Sequence, residues 1–204
     1  PISKLFFVIV LLIVFAHFSL HEKRLLGMDT SLFYLDEELT FGSLFMLCLT
    51  FYAGILTLRL FLQTKQYKYL IWLGIFWFLA IDEYFSIHEY LNDLLKRTLE
   101  PDNEIALLAS MSWVFTLGFL FMIPAGYILH QTLKEENKRV RILLFLGLFS
   151  YLSVLIIEVI GGQTYGEDIY LKFIGIEEGL ELVGTIFFIE AFRQKLPGTK
   201  KGIK

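Results

Sequence analysis

Seven acidic side chains stand within stretches that are otherwise apolar: Asp82, Glu83, Glu89, Glu158, Glu177, Glu178 and Glu181. An ionisable group in hydrocarbon costs roughly 2.5–3.5 kcal/mol on insertion scales, so such groups persist where they pair, take up protons, bind an ion or line water. Carboxylate oxygens joined by an imidazole, here His88, form a donor set for a divalent cation such as Fe, Mn, Zn or Ca. A metal-bound water beside a spare carboxylate would be a hydrolytic nucleophile with its own general base. The candidate metal ligands are Asp82, Glu83, His88, Glu89, Glu158, Glu177, Glu178 and Glu181, with His17, Ser86, Ser110 and Ser112 as candidates to orient them. Asp82, Glu89, Glu158, Glu178 and Glu181, assisted by His88, form the preferred set.

Spacing narrows the chemistry. Di-iron helix bundles use two Glu-x-x-His motifs, and the pattern Asp82-Glu83-x4-His88-Glu89 is different. A zinc site of three His is excluded, because His130 falls at the opposite end of its helix. Haem held by His17 and His88 is disfavoured, since the surrounding carboxylates would repel its propionates. A retinal Schiff base would need a Lys in mid-membrane, and none is present. The lone Cys48 gives neither an internal disulfide nor a CxxC site. Phosphate-cradling glycine loops and a nucleophile elbow are absent, and there is no basic face to hold nucleic acid.

The elements that must carry these residues follow from hydropathy. Of 204 residues, 56% are hydrophobic and 21 are Phe, with a mean hydropathy of +0.62. A soluble domain of this size could not bury that much apolar surface. A span takes about 20 apolar residues, and six such runs stand out, at about 3–21, 41–63, 69–91, 105–130, 140–161 and 171–192. The expected fold is an all-α integral membrane protein, a bundle of about six transmembrane helices forming a single domain over residues 1–204. The chain starts at Pro1, and the run from Leu5 to Leu20 after Lys4 is signal-like. It lacks an A-x-A cleavage site and is read as the first span.

Thirteen of the 18 Lys and Arg fall at the N-terminus, in the second and fourth linkers or the span ends beside them (Arg59 and Arg141), and in the C-terminal tail. The positive-inside rule then puts both termini in the cytoplasm and the acidic loops outside, in a plasma (inner) membrane. This orientation gives the carboxylates their meaning. The third and fifth spans run outward and carry them late, whereas the sixth runs inward and carries them early. All seven therefore share the outer half of the bilayer. On straight helices at about 100° per residue, Asp82, Ser86, Glu89 and Asp93 fall on one stripe, and Glu177, Glu178 and Glu181 cover one face that Gly184 continues.

The expected function is a carboxylate-rich cation or metal site in the outer leaflet, serving a metal-dependent membrane enzyme for a lipid-like substrate. A cation or proton channel subunit and a structural subunit of a membrane complex are the alternatives, because buried acids also mark ion paths and polar helix contacts. The expected partners are the lipid bilayer and either a second copy or another membrane subunit, with no nucleic acid.

Overall fold

The computed structural model describes residues 2–19, 24–25, 28–29, 40–87, 90–91, 94, 119–135, 138–162 and 169–196. Six α-helices appear among the described residues: α1 (Ile2–Ser19), α2 (Phe41–Thr64), α3 (Lys68–Phe85), α4 (Phe119–Glu135), α5 (Lys138–Gly162) and α6 (Tyr170–Lys195). The only other element described is a two-residue antiparallel pair, β1 (Arg24–Leu25) with β2 (Met28–Asp29), in which Arg24 faces Asp29.

Helix boundaries follow local chemistry. Thr40 caps α2, its hydroxyl accepting from the Ser43 N–H at 3.4 Å. At the other end Lys65 turns left-handed (φ 55°), and its N–H donates to the Phe61 carbonyl at 2.7 Å, the usual way a helix closes its last carbonyls. Within α2, Thr50 and Thr57 are buried and donate to their own backbone, Thr50 to Met46 O at 2.9 Å and Thr57 to Gly54 O at 2.8 Å. Hydroxyls satisfied this way need no water.

The third helix departs from the expected span over 69–91. It ends at Phe85, and Ser86 adopts φ 45°, ψ 46°. A left-handed non-glycine residue costs about 1–2 kcal/mol. Ile87, Tyr90, Leu91 and Leu94 are helical again, with the Tyr90 N–H on the Ser86 carbonyl at 3.0 Å. Ser86-Ile87-His88-Glu89 is an S-x-x-E sequence, the pattern that starts helices. The helix is thus interrupted at Ser86, and Glu89 and Asp93 of the expected stripe Asp82–Ser86–Glu89–Asp93 lie outside the described residues. The fourth expected span, 105–130, is described only from Phe119, from where α4 runs unbroken across Pro124 to Glu135.

The core centres on α6, which packs against α5 most extensively and also against α1 and α2, while α2 packs on α3. Leu182, Thr185, Ile186, Phe188, Ile189 and Phe192 of α6 are buried. Outward, the bundle shows large apolar side chains, among them Leu11, Phe15, Phe51, Ile123, Phe145 and Ile156. The first half of α3 and the last half of α6 are tied by rings. Trp72 lies 5.1 Å from Phe188 and 5.6 Å from Phe192 between centroids, and Phe76 lies 5.7 Å and 6.0 Å from the same two.

Candidate functional site

Glu177, Glu178 and Glu181 stand on α6, the helix at the centre of the core. On α6, Glu178, Glu181, Thr185, Phe188 and Phe192 follow one another at steps of three and four, so they form one stripe. On α3 the matching stripe is Tyr69, Trp72, Phe76 and Glu83. The two stripes meet through their aromatic parts, which brings Glu83 and the α6 carboxylates to the same end.

The point of convergence is Tyr151 on α5. Its hydroxyl lies 2.7 Å from the Thr185 hydroxyl, and the charges of Glu181, Glu83 and Glu178 all act on it. Thr185 is fully buried, and its hydroxyl also approaches the Met46 sulfur of α2 at 3.8 Å. Three helices thus meet at the Thr185 hydroxyl, α6 with Thr185, α5 with Tyr151 and α2 with Met46, and the charges of Glu83 on α3 and of Glu178 and Glu181 on α6 act on the Tyr151 phenol. Tyr151 stacks on Phe188 (6.0 Å, 28°), which joins the hydroxyl pair to the ring cluster of Trp72, Phe76 and Phe192.

Two glycines allow this approach. A Cβ on Gly184 would lie 3.0 Å from Ser150 Cβ and Tyr151 Cδ2, and one on Gly175 would lie 2.7 Å from His17 Cδ2. Small residues at membrane helix contacts serve this purpose. His17 is thereby held against α6 one turn before Glu178, with only 4% of its surface exposed.

Of the residues singled out in the sequence, Glu83, Glu178 and Glu181 act by their charge on Tyr151. Asp82 is buried at 8% exposure on α3, and Glu177 and Ser86 are half-buried. Asp82, Glu83, Ser86, His17, Glu177, Glu178 and Glu181 all take part in polar or ring contacts. Glu158 lies on α5, seven residues after Tyr151 and so on its face, but its side chain falls outside the described residues, as do His88, Glu89, Ser110 and Ser112. Among the described residues no group of three His, Cys, Asp or Glu is placed to hold a metal ion.

Sequence reasoning missed Tyr151 and Thr185. Their signal was present: Thr185 continues the Glu178–Glu181 stripe by one turn, and Tyr151 shares a face with Glu158. Their bond is open to a double-mutant cycle of Tyr151→Phe and Thr185→Val, read by reversible unfolding in mixed micelles. A coupling of about 0.6 kcal/mol is expected, the average for polar pairs between membrane helices. A coupling indistinguishable from zero would show that the pair does not tie α5 to α6.

The described chain is an all-helical protein in which two helices, Phe41–Thr64 and the Lys138–Ile157 part of α5, are long and apolar enough to cross a membrane. It belongs to the family described as a domain of unknown function (DUF8692), whose profile matches residues 4–195. No curated protein and no solved structure matches the chain.

Proposed function

We propose that this chain is a six-span membrane protein that binds a divalent cation in the carboxylate layer of its outer half. The observation that carries the reading is the Tyr151–Thr185 hydroxyl pair, on which the charges of Glu83, Glu178 and Glu181 from two helices act. Like charges brought together at low dielectric require a cation or protons. Carboxylate and hydroxyl oxygens are hard donors, suited to Mn, Ca or Mg rather than to thiolate-seeking metals. The span count rests on hydropathy and on the apolar outer surface, which exceeds what a soluble monomer exposes. Helix α6 is less apolar than α2 because it carries Glu177, Glu178 and Glu181, and α3 carries Asp82 and Glu83 in its last turn.

Two observations bear on what the site is for. The Trp72, Phe76, Phe188 and Phe192 rings lie inward of Thr185, and Thr50 and Thr57 are turned to their own backbone. Both weigh for a closed pocket over a through-path for ions. A groove of about 310 Å³ on the outer face of α2 and α3, lined by Leu47, Phe51, Trp77, Ala80, Ile81, Tyr84 and Phe85, reaches the level of Asp82 and Glu83. It favours an enzyme that takes a lipid-like substrate from the bilayer.

The test is elemental analysis of the purified protein beside an Asp82→Asn/Glu181→Gln variant. The wild-type chain is expected to carry a stoichiometric divalent metal and the variant to lose it. Equal metal in both, or none in either, sinks the reading. In liposomes, the same wild-type protein is expected to give no cation flux; a flux abolished by Glu181→Gln would establish transport instead.

A further inference from the structure

We draw no further inference here: the strongest candidate, the apolar groove between Phe51 of α2 and Trp77 of α3, belongs to the site already described, and nothing in the structure shows what else covers it.

Discussion

Replacing Phe188 with Ala is expected to destabilise the folded bundle by about 3–5 kcal/mol, the range for an aromatic removed from a packed interior. Phe188 is the ring on which three helices agree. It lies 5.1 Å from Trp72 and 5.7 Å from Phe76 on α3, 6.5 Å from Phe192 on its own helix and 6.0 Å from Tyr151 on α5. Lipid is as apolar as these rings, so the loss comes from forfeited packing contacts and the cavity left behind, more than from exposure to water. Phe187→Ala is the control. Phe187 is half-buried, and its described ring contact is with Phe7 at 5.5 Å, so its loss should cost clearly less. Unfolding both variants in mixed micelles checks the order. Equal costs would mean that the ring layer below Thr185 does not hold α3 to α6.

The same layer shows what the sequence allowed a reader to see. Six helices were legible because hydropathy averages over about 20 residues and tolerates local error. The carboxylates were legible one at a time, because charge in an apolar run is conspicuous. Their arrangement was legible only while the helix stayed straight. On α6 it does, and Glu178, Glu181 and Thr185 hold one stripe from Tyr170 to Lys195. On the third helix φ turns positive at Ser86, so the straight-helix projection stops there, and Glu89 and Asp93 lie outside the described residues. The S-x-x-E pattern at 86–89 was there to be read. It also offers Glu89 a second role, because a Glu in that position can cap backbone N–H groups instead of binding a cation. Tyr151 escaped for a different reason. A phenol in an aromatic-rich membrane helix looks like packing until its depth is compared with Glu181 across a helix interface, and pairwise depth between helices is what hydropathy does not encode.

Substituting Gly184 with Leu is expected to empty the proposed cation site while leaving every carboxylate in the chain. The first added carbon would sit 3.0 Å from Ser150 Cβ and from the Tyr151 ring, and three more carbons must follow it. Ser150 is itself buried and tied to the Leu146 carbonyl at 3.0 Å, so it cannot swing clear. The helices must part instead, at about 1–3 kcal/mol for such overpacking. Parting α5 from α6 draws the Tyr151 hydroxyl from Thr185 and carries it away from Glu178 and Glu181. A site assembled across this interface should then lose its metal, and Gly184→Ala should fall between Leu and wild type. Gly74→Ala, with open space around its added carbon, should leave both stability and metal content near the wild-type values. The readout is elemental analysis beside circular dichroism, so that loss of the site is separated from loss of helix. If Gly184→Leu stays helical and keeps its full metal content, the ligands lie within one helix or among residues away from Tyr151. The convergence of Glu83, Glu178 and Glu181 on that hydroxyl would then be a packing arrangement rather than the site.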